Sequence, residues 1–219
     1  MLNHFLSLFL KDNCPLCQRT AEKIICSYCQ QKIDLCQLDS PQELTSDNFL
    51  IFAWGKYDGT LKRAIASLKY NGNRNLGVLM GQWLGKKWLE SGNKEKYKKL
   101  TVIPIPLHPK KLKQRGFNQA ELISRGFTQI TGYSLKPNLL QRVKDTTAMF
   151  GLNPSARRKN ITKAFEIGQD LATINKSYPI LIVDDIYTTG TTVNEARQVL
   201  TKHKLLSIGV ATLSKVNSE

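Results

Sequence analysis

The amino-acid sequence predicts an α/β fold with a parallel-sheet core and a small four-cysteine module at its N-terminal end. Short apolar runs at residues 101–106, 180–183 and 207–213 are typical of strands buried on both faces of a parallel sheet. Apolar residues at helical spacing lie between these runs. All five cysteines precede residue 37. A chain of 219 residues is long enough for one such core and a small appendage.

The N-terminal module is predicted to span residues 1–40 and contains a C-x2-C-x8-C-x2-C array. Each C-x2-C pair offers two thiolates to one tetrahedral ion, which favours a closed structural zinc site. A disulfide pair is the competing arrangement, although nothing in the sequence indicates an oxidising compartment. The array is also compatible with an iron–sulfur cluster or with a site that has lost its metal. The predicted Zn²⁺ ligands are Cys14, Cys17, Cys26 and Cys29, which leaves Cys36 without a role.

Residues 1–10 are mostly apolar, but they lack the basic start and the small-residue cleavage site of a signal peptide. We expect them to form a short amphipathic or packing helix. The sequence has no run of about eighteen uninterrupted apolar residues, which is the length that a membrane span needs. The sequence therefore predicts a cytoplasmic protein without a membrane span.

The elements of the first half are predicted from hydrophobic spacing. Residues 39–47 are polar and resemble a linker, and residues 49–57 suggest a strand. Apolar residues at helical spacing predict one helix over residues 61–68 and a second over residues 76–88. The two tryptophans of the second helix are expected to pack in the core and not to serve as base-stacking platforms.

The second half begins with the strand at residues 101–106, which leads into a basic loop predicted over residues 107–117. Asn118 and Glu121 predict the start of a helix that ends at Gly132. The remaining strands, which are expected to complete the sheet, lie near Leu139, near Phe165 and at residues 180–183 and 207–213.

The most informative segment is residues 180–192, an apolar run that ends in Asp184 and Asp185 and passes into a threonine loop around one glycine. Thr192 and Glu195 predict a capping box at the start of the next helix. The free N–H groups of a first helical turn, together with threonine hydroxyls, attract an anion such as a sugar phosphate. The carboxylates can accept hydrogen bonds from ribose hydroxyls or help to hold Mg²⁺. The predicted phosphate-binding residues are Thr188, Thr189, Gly190, Thr191 and Thr192.

The net charge of +15 is unevenly distributed. Residues 1–49 carry four basic and six acidic side chains, whereas residues 86–115 carry ten and two, and residues 136–163 carry seven and one. Such a field favours polyanions, either pyrophosphate compounds or a nucleic acid strand. For Lys94–Lys99 a solvated lysine face is the favoured interpretation. The candidates for pyrophosphate or DNA contact are His108, Lys110, Lys111, Lys113 and Arg115, of which His108 is equally compatible with a general base and with an ordinary loop residue.

Residues 180–192 resemble the phosphoribosyl pyrophosphate (PRPP) motif of type I phosphoribosyltransferases. Both have four aliphatic residues, two acidic residues and a Thr-Thr-Gly-x-Thr loop. The resemblance implies that Asp184 and Asp185 hold the ribose 2′ and 3′ hydroxyls and that residues 188–192 hold the 5′-phosphate. It also implies that the loop after the first core strand handles pyrophosphate.

Four features in one order over nearly the whole chain resemble the ComF (ComFC) family. They are the four-cysteine module, the Pro-x-Pro-Leu-His-Pro…Arg-Gly-Phe-Asn-Gln string of residues 104–119, the segment 157–165 and the PRPP motif. That family has a zinc-binding N-terminal module and a type I phosphoribosyltransferase-like domain, and it is associated with DNA uptake in natural transformation. The resemblance implies a phosphoribosyltransferase-like domain over residues 49–219.

Two main functions are predicted. The first is a DNA-handling accessory protein of natural transformation, which binds single-stranded DNA and recognises PRPP, ribose 5-phosphate or the sugar-phosphate of the strand. A DNA-uptake helicase or a recombination mediator would be its partner. The alternative is an active Mg²⁺-dependent phosphoribosyltransferase that transfers the phosphoribosyl group of PRPP to an acceptor, for which the sequence identifies no catalytic residue. A third hypothesis makes the zinc module mainly a protein-docking surface.

Overall fold

The computed structural model describes residues 13–145 and 162–216, and these residues form eight strands. Six strands make one sheet and two make a separate antiparallel pair. The strands are β1 (Gln42–Leu44), β2 (Leu50–Lys56), β3 (Thr101–Pro104), β4 (Ser134–Leu135), β5 (Leu140–Arg142), β6 (Phe165–Ile167), β7 (Ile180–Tyr187) and β8 (Ser207–Lys215).

The main sheet has the strand order β1-β2-β8-β7-β3-β4. Only the edge strand β1 is antiparallel to its neighbour, and every other adjacent pair is parallel. The helices are α1 (Ser27–Asp34), α2 (Gly59–Tyr70), α3 (Arg74–Glu90), α4 (Asn93–Lys96), α5 (Pro109–Arg115), α6 (Gln119–Thr131) and α7 (Thr191–Lys202). The predicted α/β class with a parallel-sheet core is confirmed.

The sheet is buried on both faces, as the apolar strands predict. Leu181 and Val183 of β7 belong to a buried cluster with α2, α3 and α6, whereas Ile180 and Ile182 belong to a second cluster with α7, β5 and β6. This division follows from the alternation of side chains along a strand. Part of the N-terminal module, including Ile33 of α1, packs into the first cluster.

Helices α3 and α6 approach each other very closely because glycine lies at both sides of their contact. A Cβ atom added at Gly81 would lie 2.1 Å from the carbonyl oxygen of Ile123, and one added at Gly126 would lie 2.0 Å from that of Val78. Both distances are far below van der Waals contact, so only glycine permits this packing. The close contact brings Trp88 into the core, where it packs edge to face on Phe127 at 5.7 Å, as expected of a packing tryptophan.

One prediction about the basic segment is wrong, because residues 109–115 form helix α5 and not a loop. His108 is the N-cap residue, and its Nδ1 accepts a hydrogen bond from the backbone N–H of Lys110 at 3.3 Å. Pro109 occupies the first helical position, and Gly116 ends the helix with φ of 79°. Proline at the start and glycine after the end are favourable helix signals, which the high density of lysine concealed.

The predicted capping box at the start of α7 is also wrong. Gly190 is the N-cap residue, so Thr192 lies inside the helix, and the Glu195 carboxylate instead accepts a hydrogen bond from the backbone N–H of Lys163. By contrast, the predicted helix start at Asn118 is confirmed, because its side chain accepts from Ala120 N at 3.1 Å. The end of that helix at Gly132 is confirmed as well.

Three further boundaries differ from the prediction. The presumed linker at residues 39–47 contains β1, which joins the sheet edge. The strands near Leu139 and Phe165 pair with each other and do not extend the main sheet. Strand β7 continues through the acidic pair to Tyr187 because β8 pairs with it over that length. Predictions about residues 1–10 and 157–160 lie outside the described residues.

Candidate functional site

The four paired cysteines are brought together at one point. Their Sγ atoms all lie within 4.8 Å of one another, and Cys14 and Cys29 are buried. Four thiolates about 2.3 Å from a tetrahedral zinc ion would be about 3.8 Å apart, so this cluster fits such an ion after a small contraction. Cys36 lies outside the cluster, and its Sγ is near the carbonyl oxygens of Lys32 and Asp58, at 3.6 and 3.7 Å. The four cysteines predicted as ligands are therefore positioned to hold a metal ion.

The acidic pair lies near the carboxyl end of β7, where the neighbouring parallel strand β3 also ends. Pro104 of β3 is opposite Val183 of β7 in the parallel register. The chain that leaves β3 toward α5 and the acidic pair after Val183 therefore emerge at the same edge of the sheet. Ligands of open α/β sheets bind at this edge.

The two adjacent carboxyls have different surroundings, because successive side chains of a strand point to opposite sides. Asp185 is 7% exposed and forms an ion pair with Lys69 of α2, with Oδ2 and Nζ 2.8 Å apart. Asp184 lines a pocket with the threonine loop, and its Oδ1 accepts a hydrogen bond from the backbone N–H of Asp185 at 2.8 Å. Asp184 is thus the carboxyl available to a ligand, whereas Asp185 is already paired.

The charge state of Asp184 is strongly influenced by its position. Burial and the neighbouring Asp185 carboxylate raise the pKa of Asp184 to about 7, although the Asp185 N–H and the cations Lys69 and Arg142 oppose this rise. For Lys69, burial lowers the pKa, but the carboxylates of Asp185 and Asp184 outweigh it, so the net pKa is raised. A bound cation would favour the ionised form of Asp184 at neutral pH.

The threonine loop and the start of α7 enclose a solvent-open pocket of about 290 Å³. The backbone N–H groups of Thr191, Thr192 and Val193 belong to the first helical turn, where no carbonyl of the helix can accept from them. Gly190 has φ of 70°, and a Cβ atom at this position would lie 2.5 Å from the Tyr187 hydroxyl oxygen. The lining residues of the pocket are Asp184, Ile186, Tyr187, Thr188, Thr189, Gly190, Thr191, Thr192 and Val193.

Hydroxyl groups add to the donors of this pocket. The Oγ1 atoms of Thr189 and Thr191 are 2.8 Å apart and share a hydrogen bond. Hydroxyls and free backbone N–H groups at a helix N-terminus form a favourable site for an anion. The pocket therefore combines an anion-binding end with a carboxyl that can accept hydrogen bonds or bind a cation.

Helix α5 carries the four predicted lysine and arginine residues, which differ in their exposure and in their contacts. Lys110 lies 3.5 Å from Asp145, while Lys113 is exposed. Burial, together with the positive charges of Arg142 and Arg115, lowers the pKa of Lys111. Arg115 donates to the Gln119 side chain at 2.5 Å. The helix is therefore a positive surface on which Lys110 and Lys113 are exposed, while Lys111 and Arg115 are half-buried.

His108 has a structural position at the start of α5. Its Nδ1 accepts from Lys110 N at 3.3 Å, while the Asp145 carboxylate oxygen is 3.8 Å from the same atom. The shorter contact requires an unprotonated Nδ1, and this arrangement favours the capping role over that of a general base.

Two residues of the site were not found from the sequence. Lys69 pairs with Asp185, and Arg142 of β5 is within electrostatic reach of both Asp184 and Asp145. Burial lowers the pKa of Arg142, and these two carboxylates oppose the shift. No local pattern distinguishes either residue among the 32 lysines and arginines of the chain. Their positions depend on the packing of α2 and β5 beside the end of β7.

The described helices include none that is both long and apolar enough to cross a membrane.

No family model matches the chain. Curated relatives do match it. Competence protein F of Haemophilus influenzae is 34% identical over 117 residues, which are 52% of this chain and 49% of the relative. Competence protein ComFC of Streptococcus pneumoniae is 28% identical over 195 residues, which are 87% of this chain and 74% of the relative.

A further relative is the DNA utilization protein YhgH of Salmonella typhi, which is 27% identical over 52% of this chain and 48% of its own length. The chain thus spans about half the length of two of these three relatives. Among solved structures, a hypoxanthine phosphoribosyltransferase from Staphylococcus aureus has 15% identity and a TM-score of 0.39 over 65% of this chain and 76% of that chain. The curated relatives confirm the resemblance that the sequence motifs indicate.

Proposed function

We propose that this protein belongs to the ComF family and is a cytoplasmic DNA-handling accessory protein of natural transformation with a pocket for PRPP or ribose 5-phosphate. The observation that carries the proposal is the shared position of Asp184 and the threonine loop at the edge of the parallel sheet where β3 leads to the basic helix α5. The names of the curated relatives support the role in competence and DNA use.

The two ends of the pocket would contact different parts of the ligand. The N–H groups of the first turn of α7 and the hydroxyls of Thr188, Thr189 and Thr191 would hold the 5′-phosphate. Asp184 would accept hydrogen bonds from ribose hydroxyls or hold Mg²⁺, while Asp185 would act indirectly through its pair with Lys69. The basic side chains of α5 would meet the pyrophosphate or the backbone of a single strand.

The N-terminal module would have a structural role in this proposal. We propose that the four clustered cysteines bind Zn²⁺ and stabilise a module of residues 1–40 on a phosphoribosyltransferase-like domain of residues 49–219. A closed four-thiolate site has no open position for a substrate, so it would not take part in catalysis. A DNA-uptake helicase or recombination mediator would bind the assembled protein.

Calorimetry with PRPP and Mg²⁺ tests the pocket. We expect saturable binding by the wild type and at least a tenfold loss of affinity in Asp184→Asn. Glu90→Gln, which changes an exposed carboxylate at the end of α3, is the matched control and should bind like the wild type. Equal affinity in all three proteins would contradict the pocket assignment.

An assay for conversion of PRPP distinguishes a binding protein from an enzyme. Labelled PRPP can be incubated with the wild type, Mg²⁺ and a metabolite extract. Binding without a new phosphoribosylated product would support the accessory role. A new product that disappears in Asp184→Asn would support the alternative, an active phosphoribosyltransferase in which the charged pocket positions and stabilises the reacting ribose.

A further inference from the structure

A second cavity lies between the first cysteine pair and helix α2. It is open to solvent, and its empty volume of about 530 Å³ includes part of that open solvent. Two residues between Cys14 and Cys17 form one wall, and α2 with the residue that follows it forms the other. We call this cavity the knuckle groove, and its lining residues are Pro15, Leu16, Arg63, Ala66, Ser67, Tyr70 and Asn71.

Tyr70 gives the knuckle groove an exposed aromatic ring. This residue ends α2 and is 78% exposed. The three tryptophans of the chain pack against other aromatic rings. Trp54 and Trp88 are buried, and the half-buried Trp83 stacks on Trp54. An exposed tyrosine alone needs no explanation, but this ring lines a cavity whose other apolar wall is Pro15 and Leu16. A planar group can therefore stack on Tyr70 with apolar surface nearby.

Two arginines lie beside the Tyr70 ring or in the same groove. The guanidinium of Arg115 lies 5.8 Å from the Tyr70 ring centroid, and Arg63 lines the groove about two turns earlier on α2. Arg63 donates to the Thr60 hydroxyl at 3.1 Å, and its guanidinium has five N–H donors, so donors remain for a phosphate. Arg115 is the last residue of α5, so the end of this basic helix lies beside the Tyr70 ring of the knuckle groove.

An exposed aromatic ring with cations nearby in an open groove is an arrangement that binds single-stranded nucleic acid without sequence preference. Bases stack on the ring, and the cations follow the phosphate backbone. We propose that the knuckle groove holds one nucleotide of a single DNA strand, with its base on Tyr70 and its flanking phosphates on Arg63 and Arg115. This assignment rests on the proposed DNA-handling function and gives the zinc module a part in it, as one wall of the groove.

The experiment measures binding of a fluorescent oligodeoxythymidylate by anisotropy over a series of salt concentrations. Tyr70→Ala should weaken binding roughly 5- to 150-fold, the range expected for one stacked base. The slope of log affinity against log salt should not change, because stacking releases no counterions. Arg63→Gln should reduce that slope by about 0.7, the value for one phosphate contact with a single strand. Tyr70→Phe keeps the ring and should bind like the wild type.

Tyr28→Ala is the matched control, since Tyr28 is also exposed and has an arginine over its ring but does not line the groove. It should bind like the wild type, and thermal melts should show that all variants are folded. Unchanged affinity in Tyr70→Ala would overturn the assignment and leave the groove to a different partner, such as a protein. Equal losses in Tyr70→Ala and Tyr28→Ala would overturn it as well. Failure of the wild type to bind the oligonucleotide would instead refute the DNA-handling function itself.

Discussion

Replacing Asp184 by asparagine should stabilise the ligand-free protein while it removes ligand binding. The folded-state pKa of Asp184 is about 7, compared with an ordinary value of 3.8, because burial and Asp185 disfavour its charge. The folded state therefore holds this proton more tightly than the unfolded state. As pH rises from about 4 to 7, the unfolded state releases the proton first, so the folded protein loses stability over that window.

The size of this effect follows from the shift. A rise of the pKa from 3.8 to about 7 corresponds to about 4 kcal/mol, and about two thirds of this stability is lost above pH 5. Asp184 is not fully shielded from solvent, which reduces the effect. We expect the wild type to lose about 1–2 kcal/mol relative to Asp184→Asn between pH 5 and pH 8. Asparagine can still accept the hydrogen bond from Asp185 N, so the local shape should be preserved.

Urea unfolding of both proteins at pH 5 and pH 8 measures this difference. Asp185→Asn is the control at the neighbouring position, and it should be destabilised because Lys69 loses its partner. A constant difference in stability between the wild type and Asp184→Asn at the two pH values would show that the pKa of Asp184 is not raised in the folded state. If Asp184→Asn raises and Asp185→Asn lowers the stability at pH 8, a general effect of charge removal is excluded, because each substitution removes one carboxylate.

Three further results are expected. Lys69→Met should lower the free energy of unfolding by about 2–4 kcal/mol, since it leaves Asp185 buried without a counter-charge. Because the pKa of Lys69 is raised, urea denaturation should show the full difference from the wild type below about pH 10.5, and the difference should disappear as the pH rises further. Cys14→Ser should lose bound metal and unfold the module locally, whereas Cys36→Ser should keep one metal ion per chain. Elemental analysis measures the metal, and equal metal content in the two variants would exclude the four-thiolate site. Alanine at all four basic positions of α5 should reduce the salt slope of single-stranded DNA binding by up to about 3, and an unchanged slope would show that α5 does not contact DNA.

The central part of the fold could be predicted because local patterns and tertiary packing agree there. The apolar run of β7 is buried on both sides of a parallel sheet, and the helix after Asn118 has its start and end residues in the expected places. Helix α5 was missed because its signals, Pro109 and Gly116, flank a run of charged residues without an apolar face. All of its residues are at least partly exposed, so no burial pattern marks it as a helix.

The site was predictable as far as it is contiguous in the chain. The threonine loop and Asp184 follow one another, and the structure brings them to one pocket. The sequence could not distinguish the roles of Asp184 and Asp185, because the distinction depends on Lys69, more than a hundred residues earlier. Arg142, which is within electrostatic reach of Asp184, belongs to β5, and β5 pairs with β6 outside the main sheet. Such relations arise from the order and packing of elements, and no spacing of residues encodes them.

A crystal structure of the protein soaked with Mg²⁺ and PRPP would show whether the pocket beside Asp184 binds the ligand. We expect the 5′-phosphate within about 2.7–3.2 Å of the backbone nitrogens in the first turn of α7, with the ribose on the side of Asp184. A ligand bound elsewhere, or a pocket that stays empty at saturating concentration in crystals whose α7 end is accessible, would contradict it.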